Sequence, residues 1–247
     1  MIRFIIVCIT VVGFLILSIP LLLVEWIIGR FHPYARDISS LRIIQAVFRF
    51  ILWETGAKIE VIGFENVPKD QTVLYVGNHR SYFDILLTYC RCPGLTGYVA
   101  KDSMEKIPLL SIWMKRLYCL FLNRQDIRQG LKTILTGIEQ MKNGISMCIF
   151  PEGTRNKGTE MMPFKEGSLK MAEKTGYPII PIAITNSAGI FENQYPKIRP
   201  AHVILEYGKP IYPKELSRED KKFLGAYTQR AIAQMLEQHT QRTSSKK

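Results

Sequence analysis

Four short apolar runs that each stop at a polar or charged residue constrain this chain more than any other feature. Residues 71–76 lead to His79, 95–101 end at Lys101, 117–122 lead to Arg124, and 145–150 lead to Glu152. The runs are rich in β-branched and aromatic residues and read as buried strands. Residues 58–63, 179–185 and 201–207 add further strand patterns. Helical patterns interleave them: Phe83–Tyr89, a segment opened by Pro108, a helix capped by Asp126 whose stripe of Ile127, Leu131, Ile134, Leu135, Ile138 and Met141 is expected in the core, and a terminal helix begun by Ser217. The expectation is an α/β domain. In open α/β sheets, sites gather in the crevice outside strand carboxyl ends, so chemistry is expected along the edge where His79, Lys101, Arg124 and Glu152 fall.

His79 and Asp84 are five residues apart across a turn. On one continuous helix they would diverge by about 140°. They meet only if the histidine precedes the helix and the aspartate lies in its first turns. The carboxylate then binds one imidazole nitrogen, fixes the tautomer and leaves the other nitrogen to take a proton. Ser81 suits capping better than attack, because no G-x-S-x-G elbow surrounds it. The second polar turn, Phe150-Pro151-Glu152-Gly153-Thr154-Arg155, sets backbone N–H groups beside a carboxylate and a guanidinium, a cluster suited to phosphates and polyols.

Together Asn78-His79-Arg80-Ser81-Tyr82-Phe83-Asp84 and Phe150-Pro151-Glu152-Gly153-Thr154-Arg155 resemble the glycerolipid acyltransferase family, whose signature is H-x-x-x-x-D followed by F-P-E-G-T/S-R. Phe121-Leu122-Asn123-Arg124 resembles its F-x-x-R block, with Asn123 where an aspartate is frequent. Tyr177-Pro178-Ile179-Ile180-Pro181-Ile182 resembles its proline-bearing block, and Pro163 to Ser168 its F-K-x-G segment. Within the family the bacterial 1-acyl-glycerol-3-phosphate acyltransferases are most similar. The resemblance implies a mixed, largely buried sheet flanked by helices. It also implies transfer of an acyl chain to the sn-2 hydroxyl of lysophosphatidate, with His79 as base and Asp84 as its orienting partner. Lys101 and Arg124 are then expected as phosphate anchors, with Glu152 holding the glycerol. Gly153, Thr154 and Arg155 are expected as oxyanion or phosphate donors. An acyl-acyl carrier protein or acyl-coenzyme A serves as co-substrate, and no metal or other cofactor is expected. Three alternatives stay open: an acyltransferase for another lyso-lipid or glycerol-3-phosphate, a thioesterase or lysolipid hydrolase using the same dyad on water, and a non-catalytic membrane-surface protein.

The chain has 247 residues, enough for one such domain with an appendage. Phe4 to Val24 is uncharged and about 31 Å long if helical, enough to cross a bilayer core. Pro20 is expected to kink it and Glu25 to close it, so a single span and a hairpin dipping into one leaflet remain open. The expected divisions are an anchor at 1–36, an amphipathic interfacial helix at 37–57 with Arg42, Gln45 and Arg49 on its polar face, the catalytic domain at 58–240 and a basic tail at 241–247. The expected location is the cell inner membrane with the catalytic body on its cytoplasmic face, where the basic cluster past the anchor places it if the segment spans. A net charge of +12 calls for an anionic partner. No zinc-finger, RNP or helix-turn-helix pattern accompanies it, so an anionic membrane surface is expected rather than nucleic acid. The five cysteines lack metal spacing and read as reduced thiols.

Overall fold

The computed structural model describes residues 1–158 and 160–244. Two helices come first, α1 (Ile2–Phe31) and α2 (Pro33–Thr55). The seven strands are β1 (Lys58–Ile62), β2 (Leu74–Gly77), β3 (Thr96–Lys101), β4 (Leu120–Leu122), β5 (Ser146–Ile149), β6 (Ile179–Thr185) and β7 (His202–Tyr207). Between and after them run α3 (Phe83–Tyr89), α4 (Leu110–Arg116), α5 (Ile127–Lys142), α6 (Lys170–Thr175), α7 (Arg218–Lys222) and α8 (Leu224–Ser244).

The strand order is β1-β7-β6-β2-β5-β3-β4. From β6 to β4 all five strands are parallel, whereas β7 is antiparallel to β6 and parallel to β1. The sheet is therefore mixed, and the carboxyl ends of five neighbouring strands share one edge. Both faces are covered, which is why the central strands read as continuous apolar runs. Alternate residues serve opposite cores. Tyr75, Cys148, Ile180 and Ile182 pack with residues of α2, α3 and α4, and Leu74, Val76, Met147, Ile149 and Ile179 pack with α5, α6 and α8.

The N-terminal elements depart from expectation. α1 continues past both Pro20 and Glu25, and the chain turns at His32, with Pro33 opening α2. Proline at a first helical position forfeits an N–H that has no partner there anyway. Glu25 does not close α1; it is buried and accepts hydrogen bonds from Ser39 Oγ at 2.6 Å and Ser40 Oγ at 3.3 Å. Thr10 Oγ1 donates to Glu54 at 2.6 Å and the Arg3 guanidinium to the Thr55 carbonyl at 2.5 Å, so the two helices run antiparallel. Ser18 is buried and accepts from Trp113 Nε1 of α4 at 2.9 Å. One face of α1 thus carries polar side chains bonded to the protein, while Ile5, Ile9, Val12, Ile16, Leu17 and Leu23 are exposed.

Other expectations are corrected in α2, α5 and the C-terminus. Gln45, read as solvent-facing, is buried and donates to the Tyr89 and Cys92 carbonyls. On α5 the apolar stripe does not all enter the core: Ile138 and Met141 are buried, but Ile127, Leu131 and Leu135 are 88%, 60% and 53% exposed. The reason lies at Gly137, where a Cβ would fall 2.4 Å from Met171 Sδ of α6. Any larger residue there would force the Met171 side chain to move. α5 therefore packs through Thr133, Gly137, Ile138 and Met141, which turns the Ile127 line outward. The terminal helix is broken at Phe223, itself exposed, into α7 and α8. α8 runs to Ser244, so the expected tail is helical at its start and Ser245 to Lys247 lie outside the described residues.

Candidate active site

The dyad forms as its spacing requires. β2 ends at Gly77, His79 stands in the turn, and Asp84 lies in the first turn of α3. His79 Nδ1 is 2.9 Å from Asp84 Oδ2. The same oxygen accepts the Arg80 and Ser81 N–H groups, each at 2.7 Å, so the carboxylate shapes the turn that carries the imidazole. Asp84 is fully buried and His79 partly exposed. The imidazole lies flat on Phe150, with centroids 4.4 Å apart and planes 18° from parallel. Among the described residues, the second ring nitrogen has no hydrogen-bond partner.

Sheet pairing positions this turn. Where β2 stops, the buried Asn78 side chain replaces its backbone: Nδ2 donates to the Ile184 carbonyl at 2.9 Å and Oδ1 accepts the Ile184 N–H at 2.8 Å. On the other side, β5 delivers the Pro151 to Arg155 turn. Glu152 Oε1 accepts the His79 N–H at 2.8 Å and Oε2 accepts the Met162 N–H at 3.0 Å. Asn156 N–H donates to the His79 carbonyl at 2.7 Å. The histidine backbone is thereby held at both its N–H and its carbonyl by one turn.

Glu152 was expected to hold glycerol, yet it is 2% exposed and both its oxygens bond to backbone. Its surroundings make it a brace between two turns. Gly153 adopts φ +74°, a left-handed conformation suited to glycine, and its N–H closes the turn on the Phe150 carbonyl. That N–H is spent. Among the described residues, the Thr154 and Arg155 N–H groups bond to nothing, and Thr154 is exposed. The 163–168 segment folds beneath this turn, with the Lys165 N–H on the Pro151 carbonyl.

Lys101 and Arg124 lie on the same edge but farther along. β3 and β4 are two and three strands from β2, about 10 and 14 Å at the usual strand spacing. Both side chains are exposed. Partial burial lowers the Arg124 pKa, and the carboxylate of Asp102, next to Lys101, acts against that shift. Desolvation pushes the Cys90 and Cys119 thiols up to about 11 and Cys92 up to about 12, away from the nucleophilic thiolate form. Ser81 is buried, and its hydroxyl accepts the Phe83 N–H at 3.0 Å and donates to Glu192 at 2.7 Å.

Glu192 has no counterpart in the sequence reading. It lies in the loop after β6 and reaches Ser81, Tyr82 and Arg155. No spacing signal marked it, because 111 residues separate it from Ser81.

Known proteins match this architecture. The acyltransferase family model matches residues 58–185, which contain both polar turns and the strands that carry them. The 1-acyl-sn-glycerol-3-phosphate acyltransferase of Borreliella burgdorferi is 38% identical over 62% of this chain and 61% of its own length. A probable enzyme of the same name from Mycoplasma pneumoniae is 29% identical over 84% of this chain and 82% of its own. The Saccharomyces cerevisiae enzyme is 30% identical over 74% of this chain and 60% of its own. The chain thus spans about three fifths of the Borreliella and yeast relatives. The crystal structure of the 1-acyl-sn-glycerophosphate acyltransferase PlsC from Thermotoga maritima superposes with a TM-score of 0.83 over 97% of this chain and 95% of that one. At 24% identity the superposition establishes a common fold. With its family model covering both polar turns and six of the seven strands, this chain belongs to the acyltransferase family.

Proposed function

We propose that the protein transfers an acyl chain from an acyl thioester, carried by acyl carrier protein or coenzyme A, to the sn-2 hydroxyl of 1-acyl-glycerol-3-phosphate. The product is phosphatidate, and the setting is phospholipid biosynthesis. The observation that carries this reading is the 2.9 Å contact between His79 Nδ1 and Asp84 Oδ2, with the other ring nitrogen left for substrate.

In the mechanism, that nitrogen takes the hydroxyl proton as the alcohol oxygen bonds to the thioester carbonyl carbon. Asp84 stabilises the imidazolium that forms. The tetrahedral oxyanion receives hydrogen bonds from the turn that holds Thr154 and Arg155. It collapses as the C–S bond breaks, and the imidazolium protonates the leaving thiolate. No acyl-enzyme is needed, which suits a Ser81 whose hydroxyl is already engaged at both ends. Arg155 is the near anchor for the phosphate, and Arg124 and Lys101 extend a basic track along the strand edge. The guanidinium fork of Arg124 suits bidentate contact.

The membrane mode follows from α1. Thirty residues make a helix about 45 Å long, enough to cross a bilayer. Its polar contacts with α2 and α4 run from Arg3 to Glu25, so a crossing would drag both partners into hydrocarbon. An exposed apolar face dipping into one leaflet, with the catalytic body on the cytoplasmic face of the inner membrane, meets both demands. The basic surface then meets anionic headgroups.

The test is product identity. Purified protein with lysophosphatidate and a labelled acyl thioester is expected to give labelled phosphatidate. Labelled free fatty acid without phosphatidate would make the protein a hydrolase instead, and neither product would leave it a surface-binding protein.

A further inference from the structure

We propose that Glu192 is a positioning residue that fixes Arg155 for the anionic substrate and ties that setting to the anchor helix. The inference rests on the acyl-transfer reading above and adds to it a residue outside both polar turns.

One carboxylate gathers three groups. Glu192 Oε1 accepts the Tyr82 N–H at 2.8 Å and an Arg155 Nη1–H at 3.3 Å, and Oε2 accepts the Ser81 hydroxyl at 2.7 Å. The Arg155 guanidinium carbon lies 3.5 Å from the centroid of the Tyr82 ring. The carboxylate therefore holds both the guanidinium and the backbone of the ring beneath it. A guanidinium held by one ion pair and one aromatic face keeps its remaining N–H donors aimed outward. Without such a hold, an arginine side chain surrenders considerable rotamer freedom when it binds an anion. Asp84 and Glu192 also grip the same turn from two sides, because Asp84 Oδ2 takes the Arg80 and Ser81 N–H groups. Prepaid positioning of this kind is what orients substrate near a base.

The residue before it supplies the link to α1. The Phe191 ring stacks on Phe4, with centroids 5.5 Å apart and planes 9° from parallel. Phe4 belongs to the helix whose opposite face is exposed and apolar. The loop thus presses on the anchor with one side chain and holds the substrate arginine with the next.

The experiment measures kcat, and KM for each substrate, in wild type, Glu192→Ala, Arg155→Ala and the double variant, with thermal midpoints as a folding control. We expect Glu192→Ala to raise KM for lysophosphatidate about tenfold, the effect of roughly 1.4 kcal/mol. KM for the acyl thioester is expected to stay unchanged. Adding Glu192→Ala to Arg155→Ala is expected to change KM for lysophosphatidate less than about twofold, because the two act through one contact. Should Glu192→Ala fail to fold, the isosteric Glu192→Gln is expected to fold and to raise the same KM about threefold, and Phe191→Ala to raise it in the same direction. Unchanged KM in the folded Glu192 variant, or an equal penalty in the Arg155→Ala background, overturns the proposal. Absence of phosphatidate formation by wild type would instead overturn the acyl-transfer reading.

Discussion

One oxygen of Asp84 carries three hydrogen bonds, and the other is buried with no partner. That asymmetry makes the residue a test of charge as distinct from shape. Asp84→Asn can keep its carbonyl oxygen toward His79 and the two N–H groups, while removing the charge that stabilises an imidazolium. We predict that phosphatidate formation falls at least about 10²-fold, the lower range of general-base assistance. Urea titration is expected to show a loss of about 1–3 kcal/mol from the new amide left without an acceptor. A variant as fast as wild type would mean that the carboxylate's charge plays no part in turnover. At this scale the sequence was informative where chemistry is local. His79 and Asp84 were legible because five residues across a turn admit only one way of meeting. Glu152 stands out in the sequence, but nothing local tells that the His79 and Met162 N–H groups occupy its carboxylate. Glu192 was invisible, because its partners come from β2 and β5 turns that only the folded sheet brings near.

Strands were read more accurately than helix faces, and the cause is physical. A strand buried on both sides needs an apolar run and little else, whereas a helix shows several faces and the choice among them belongs to its neighbours. The α5 stripe predicted a core through Ile127, Leu131 and Leu135; packing against α6 at Gly137 selected another face. Glu25 reads as a helix end, but α1 runs through it because Ser39 and Ser40 of α2 satisfy the carboxylate. The end of β2 yields a prediction about its own register. Asn78 closes the β2–β6 ladder by binding both backbone groups of Ile184. Asn78→Ala leaves that buried N–H and carbonyl unpaired, and a destabilisation of about 2 kcal/mol or more is expected by denaturant unfolding. A change within about 0.5 kcal/mol would show that the amide is dispensable to the sheet.

At the scale of the whole molecule, the proposed lipid chemistry lies beside a helix long and apolar enough to enter a membrane. Seating α1 in one leaflet brings the Phe4–Phe191 contact, and with it the catalytic edge, to the bilayer surface. Replacing exposed Ile9 and Ile16 together by asparagine is expected to weaken vesicle binding at least about tenfold, since each isoleucine buries roughly 1.5–3 kcal/mol of apolar transfer. Flotation with phosphatidylglycerol-containing vesicles measures it, and binding equal to wild type would remove α1 from the membrane contact. High salt is expected to weaken attachment to these vesicles, because a chain of net charge +12 gains from anionic headgroups. The account as a whole stands on His79 as the base for a lipid alcohol. Its most direct test is phosphatidate formation by His79→Ala on vesicles carrying lysophosphatidate and a labelled acyl thioester, with vesicle binding measured on the same preparation. The prediction is a fall of at least about 10²-fold with binding unchanged; turnover within a few fold of wild type would contradict it.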